Sequence, residues 1–304
     1  MQLFNAAGSS IAATDRTEPN KKHGQMFDLA GRGIGVLEFR LLGTVSATSA
    51  KGELQLAGYL QQSLLAALLI AEGKAVSRDY LIDEIWGGDP PNGVENAVQA
   101  HVSRLRRKLS AIEEDPRETR LTTQNSGYRL LLDGARLDIS KFLEEYERLK
   151  SGVTGTDRSA PEIRRILTMW QGPMYGGAMV GQACQAVAAH IDEVRLALWE
   201  FLFDCDLEHF EHRRIIPELQ ALLVEHPYNE RFRQQLMVAL YRSGRQTEAL
   251  DVYRGLHSQL SEDLGLAPSP AMREYERAVL EQDPSLHILS TLPLRARHPV
   301  PAHR

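Results

Sequence analysis

The chain has 304 residues, 43% of them hydrophobic and 25% charged, a soluble globular composition with room for two or three ordinary domains. Its formal charge of -5 excludes a protein that coats nucleic acid or anionic membrane through bulk positive charge, so any such binding must use a local patch. The longest apolar runs, such as Leu64–Ala71, are far too short to span a bilayer, the amino terminus lacks a secretory signal, and two cysteines without a C-x-x-C pair make no disulfide framework; a cytoplasmic protein is expected.

Residues 1–35 carry Ala, Gly, Ser and charge without sustained periodicity and read as a flexible leader; the GRGIG run at its end precedes a strand rather than following one, so it is not read as a phosphate loop. From residue 36, LEFRLLGTVSATSAKGELQLAG alternates and turns like short antiparallel strands. YLQQSLLAALLIAEGKAVS then gives an apolar helix stopped at Gly73. In SRDYLIDEIWG, Ser77 caps a helix whose Leu81, Ile82, Ile85 and Trp86 face inward. GGDPPNG breaks the chain. After the next helix and an acidic loop, RLTTQNSGYRLLLD reads as a hairpin turning at Asn125, Ser126 and Gly127.

The helix between them, NAVQAHVSRLRRKL, is the informative one. Val98, Val102, Leu105 and Leu109 recur at spacings of four, three and four and line one face. At about 100° per residue, Asn96, Ala100, Ser103 and Arg107 occupy the opposite face, flanked by Gln99 and Arg106 on one side and Arg104 on the other. No acidic residue lies between Asn96 and Leu109 to balance that charge, although surface helices ordinarily mix signs. Strands, three helices and a terminal hairpin are the order of a winged helix-turn-helix, in which the third helix enters the major groove and the hairpin follows the neighbouring backbone. Candidate DNA-binding residues are therefore Asn96, Gln99, His101, Ser103, Arg104, Arg106, Arg107 and Lys108, with Arg129 on the hairpin. Amides suit adenine edges and Arg suits guanine; which of these side chains read bases and which grip phosphate stays open at this point.

From about Asp138 the chain becomes helical in period. Gly244, Ala249 and Tyr253 match the turn, small and aromatic positions of a tetratricopeptide hairpin, and an earlier hairpin runs from HIDEVRLALWEFLFDCDL through IIPELQALLVEHP. The expected fold is an α+β winged domain over 36–133, an all-α repeat-like domain over 138–285 whose surface contacts a partner, and a flexible tail over 286–304. Cys205, His209 and His212, with Cys184 as a conceivable fourth ligand, make an imperfect zinc set among acidic neighbours, and buried cysteines with exposed histidines are the plainer account; neither metal nor cofactor is expected. Trp86, Trp170 and Trp199 read as core. No nucleophile elbow, phosphate-binding loop or H-E-x-x-H occurs, so no catalysis is expected. The rival to DNA binding is a protein-binding adaptor whose winged domain has lost its affinity for DNA, but an adaptor gains nothing from an acid-free helix face that repels itself.

SRDYLIDEIWGGDPPNGVENAVQAHVSRLRRKL and GYRLLL in the first part, then MWQGP, EHPYNERFRQQLMVALYRSGRQTEALDVYR and LGLAPSPAMREYERAVLEQDP in the second, resemble the Streptomyces antibiotic regulatory proteins over residues 36–285. That family joins an OmpR-type winged helix to a bacterial transcriptional activation domain. The resemblance implies an activator of secondary-metabolite gene clusters that binds direct repeats in double-stranded DNA as side-by-side copies and recruits RNA polymerase through its σ factor. Two departures stand out: Gln61, Gln62 and Ser63 replace a more basic start to the first helix, and EHFEHRR replaces a glycine turn near 209. The leader is too short for a phosphate-accepting receiver, so control by aspartyl phosphorylation on this chain is not expected.

Overall fold

A computed structural model describes residues 37–56, 58–113, 120–125, 127–152 and 159–287; the leader with its GRGIG run and the tail beyond residue 287 lie outside the described residues. Strands β1 (Glu38–Arg40), β2 (Ser46–Ser49) and β3 (Gly52–Glu53) form an antiparallel meander. Phe39 and Ala47, paired across β1 and β2, point into the core while Glu38 and Arg40 stay half-buried, the period-two pattern of a sheet with one packed face. Next comes α1 (Tyr59–Ile70), whose Leu64–Leu69 run is buried on all sides, since it meets three other helices and a strand of the second sheet.

A short β4 (Val76–Ser77) leads into α2 (Arg78–Trp86), capped by Ser77, whose hydroxyl accepts from the Tyr80 N–H at 3.1 Å. Next come α3 (Val94–Ile112) and the hairpin of β5 (Leu121–Gln124) and β6 (Gly127–Leu130). β6 pairs with both β5 and β4, making a three-stranded antiparallel sheet in the order β4-β6-β5. Gly127 is required by proximity: a Cβ there would stand 1.9 Å from the Val76 carbonyl oxygen.

Residues 134–137, which fall between the two domain ranges expected from the sequence, contribute a strand. β7 (Arg136–Leu137) pairs in parallel with β1 and completes a four-stranded sheet in the order β3-β2-β1-β7. The next residue, Asp138, opens α4 (Asp138–Gly152); its carboxylate accepts from the backbone N–H groups of Leu41, Leu42 and Ile139 at 2.8–2.9 Å, fixing the helix to the end of β1. Burial pushes the pKa of this carboxyl upward, against the lowering effect of those three donors.

Then follow α5 (Ser159–Leu167), a 3₁₀ turn (Met174–Gly177), α6 (Gln182–Glu208), α7 (His212–Glu225), α8 (Glu230–Arg242), α9 (Gln246–Leu264) and α10 (Pro270–Glu281). The last five pack successively around a core that includes Phe203, Leu219, Phe232, Leu236, Ala249, Tyr253 and Val279. Gly244 adopts the left-handed turn between α8 and α9, and Ala249 is wholly buried, as the repeat pattern requires. Among the described residues no helix is long and apolar enough to cross a membrane.

The α6–α7 turn lacking its glycine has a visible cost. Phe210 takes φ of 60°, a left-handed conformation unfavourable by about 1 kcal/mol for a residue with a Cβ, and the residue is 67% exposed. Phe210→Gly is therefore expected to raise stability by about 0.5 kcal/mol, the lost contact with the Arg242 guanidinium 5.9 Å from the ring offsetting part of the gain. A chemical denaturation midpoint that falls in this variant would refute the account.

Cys184 and Cys205 sit near opposite ends of α6, about 30 Å apart along its axis, so they cannot share a metal. Both thiols are buried, and burial with nearby carboxylates pushes that of Cys205 up to about 12. His209 is exposed but His212 is half-buried, with its pKa lowered by burial and by Arg242 and Arg213. The three tryptophans also depart from a plain core reading, each being half-buried. Trp86 meets the His101 ring edge-on, Trp170 carries the Arg195 guanidinium 4.5 Å over its face, and Trp199 stacks on Phe203.

Candidate nucleic-acid interface

Helix α3 presents its apolar stripe of Val98, Val102, Leu105, Leu109 and Ile112 to α1 and α2, each residue under 7% exposed. Burial of that stripe fixes the helix by the hydrophobic effect and determines which side chains remain outside. Asn96, Gln99, Ser103, Arg104 and Arg107 are exposed, while His101, Arg106 and Lys108 are half-buried. The first five thus share an outward face that no other described element covers, with Glu95 in the first turn as the one carboxylate on the helix.

The half-buried group behaves differently. Arg106 donates from Nε to the Leu121 carbonyl oxygen at 2.7 Å and from Nη2 to Thr123 Oγ1 at 3.1 Å, both on β5. Lys108 reaches the Gln55 carbonyl beyond β3, and Arg129 on β6 reaches the Gly73 carbonyl after α1. His101 leans on Trp86; its pKa is lowered by burial and then by the Arg104 cation, so it is neutral at pH 7. The four cations of RLRRK are therefore divided between two that face outward and two that bind their own chain. Helical spacing places Arg106 on the flank and Arg107 on the far face, but only the hairpin's position decides that β5 lies beside the flank and takes up the Arg106 donors.

Gln61 and Ser63, in the departure at the start of α1, are turned inward. Gln61 Nε2 donates to the His101 carbonyl at 3.4 Å, and the Ser63 hydroxyl accompanies the carbonyls of Tyr59 and Met179. Gln62 is half-buried.

Sequence reasoning missed the residue that holds this surface on the rest of the chain. Glu84 on α2 is 4% exposed, and its two carboxylate oxygens accept from the backbone N–H groups of Ala183 and Cys184 at 2.7 and 3.0 Å, capping the amino-terminal end of α6. Alongside, the Gly181 N–H donates to the Glu84 carbonyl at 2.9 Å, and a Cβ on Gly181 would stand 2.5 Å from Glu84 Cα. The MWQGP stretch and the turn after it make a second seam: the N–H groups of Gln171 and Tyr175 donate to the carbonyls of Leu42 and Leu41, both at 2.9 Å. The only available signal for Glu84 was its place on the inward arc of α2 beside Leu81 and Ile85.

Comparison with known proteins follows this division. Residues 58–130 match the family described as transcriptional regulatory protein, C terminal, and residues 137–280 match the bacterial transcriptional activator domain. The regulatory protein AfsR of Streptomyces coelicolor is 37% identical over 260 residues, 84% of this chain but 25% of AfsR, so the chain spans about a quarter of that relative. The transcriptional regulator RedD of the same organism is 36% identical over 261 residues, covering 85% of this chain and 74% of RedD. A solved structure of Mycobacterium tuberculosis EmbR, in complex with a low-affinity phosphopeptide, superposes with a TM-score of 0.68 at 27% identity over 86% of this chain and 67% of that one. A winged domain sutured to a helical activator domain, with relatives of this similarity along most of its length, places the chain in the Streptomyces antibiotic regulatory protein family of transcriptional activators.

Proposed function

We infer that the protein is a sequence-specific DNA-binding activator of a secondary-metabolite gene cluster, with α3 as the helix that enters the major groove. The observation that carries this reading is the outward face of α3: two exposed arginines, two amides and a serine, held in place by a wholly buried apolar stripe. Arg104 and Arg107 grip phosphates on either side of the groove, and Asn96, Gln99 and Ser103 read base edges. Lys108 and Arg129 each use one donor internally and have others with which to meet the flanking backbone. His101 and Arg106 border the same surface. Side-by-side copies on direct repeats recruit RNA polymerase through its σ factor, which is the work of the helical domain. The open face of α3 also favours this reading over an adaptor, in which that face would have no ligand.

Selection of bound duplexes from a random library tests the reading. The unsubstituted chain should enrich tandem repeats spaced by about 10–11 base pairs or a multiple, so that neighbouring copies meet on one face of the duplex. Asn96→Ala should change the base preferred at one position of each repeat at a cost of about 1–3 kcal/mol in discrimination, with little effect on non-specific affinity. Failure to enrich any sequence would favour the adaptor.

A further inference from the structure

Resting on the reading of α3 as the groove-entering helix, we propose that Arg106 is a positioning residue, one that sets the angle of the β5–β6 wing against α3 instead of contacting DNA. Its guanidinium spends two donors on β5, one on the Leu121 carbonyl and one on Thr123 Oγ1. Those two groups lie two residues apart on the same strand, and the planar fork of Arg spans them both. The same strand pairs in register with β6, Leu121 against Leu130 and Thr123 against Tyr128, so a force on β5 is carried across the whole hairpin. On its other side the hairpin is held by Arg129 on the Gly73 carbonyl and by β6 pairing with β4, where Gly127 permits close approach.

The wing is thus held on its β6 side by β4 and the turn after α1, and on its β5 side by Arg106 of the helix that enters DNA. Toward its free end β5 turns Thr123 and Gln124 to solvent, so that end of the strand has little packing of its own to fix its direction. The tie to α3 therefore decides whether wing and helix meet the duplex in one geometry. Arg104 and Arg107, three apart on the outer face, carry no such tie among the described residues and act directly on phosphate.

The roles separate on the duplex selected above. Arg106→Gln should weaken binding about tenfold while leaving the slope of log K against log salt within about 0.3 of the unsubstituted chain, whereas Arg107→Gln flattens that slope by about 0.9. In the hydroxyl-radical footprint of R106Q, protection by the wing at the edge of each repeat should fade while protection under α3 persists. Arg106→Lys, which keeps the charge but loses the fork, should resemble R106Q; restoration of affinity by lysine would overturn the proposal, as would a slope change near 0.9 in R106Q. Thr123→Val keeps every charge and serves if R106Q does not fold: it should weaken binding about threefold with the same loss of edge protection, and adding R106Q should give no more than R106Q alone. A T123V footprint identical to that of the unsubstituted chain would overturn the proposal. If the unsubstituted chain binds no duplex in 50 mM salt, the DNA reading itself fails; all other contrary results count against Arg106 alone.

Discussion

Glu84→Ala is expected to lower stability by about 3 kcal/mol, far more than an ordinary surface carboxylate. The alanine leaves the N–H groups of half-buried Ala183 and buried Cys184 without their acceptor, and an unsatisfied buried donor costs about 1–3 kcal/mol. Loss of the negative charge at the end of α6 adds the helix-dipole contribution, about 0.3–1 kcal/mol. Thermal unfolding should show a midpoint lower by roughly 6–12 °C. Glu84→Gln keeps the shape but turns an amide NH2 toward one of the donors, so it should fall between. Glu95→Ala, on an exposed residue of α3, should move the midpoint little. A Glu84→Ala midpoint equal to that of Glu95→Ala would show that the seam does not hold the winged part on α6.

The second large effect concerns binding. Replacing both exposed arginines, Arg104→Gln with Arg107→Gln, is expected to lower affinity for duplex DNA on the order of a hundredfold near physiological salt. Each neutralised phosphate contact releases one condensed counterion fewer, so the slope of log K against log salt should flatten by about 1.8. Because these contacts carry no sequence information, specific and non-specific duplexes should weaken together. Arg245→Gln with Arg254→Gln, two exposed cations paired with Glu248 and Asp251, is the charge-matched control and should leave both affinity and slope unchanged. Equal slopes in the double variant and the control would place the DNA surface somewhere other than the outer face of α3.

These two expectations fall on opposite sides of what could be read in advance. Spacing alone placed Val98, Val102, Leu105 and Leu109 on one face, because buried apolar residues must recur with the period of the helix. It therefore also placed Asn96, Ser103 and Arg107 on the other. Ser77 marked the start of α2 through its local hydrogen bond, and Gly244, Ala249 and Tyr253 marked the α8–α9 hairpin through turn geometry and the need for a small residue at a close crossing. Glu84 and Arg106 were not legible in this way. A carboxylate on an amphipathic helix reads as solvent-facing unless one knows that an N–H-bearing helix end sits against it, and that end lies about 100 residues further on. Arg106 was grouped with its basic neighbours because nothing in RLRRK shows that β5 passes beside it.

By itself the sequence determined the order of elements, the apolar faces that bury and the chemistry left on the outer side of α3, since these depend on periodicities and caps within a few residues. The tertiary structure alone decided that residues 136–137 become the fourth strand of the first sheet, that Glu84 closes the end of α6, and which cations face outward. The physical reason is that backbone N–H and C=O groups must find partners wherever burial brings them, and those partners come from segments distant in the chain, a constraint that no local pattern encodes.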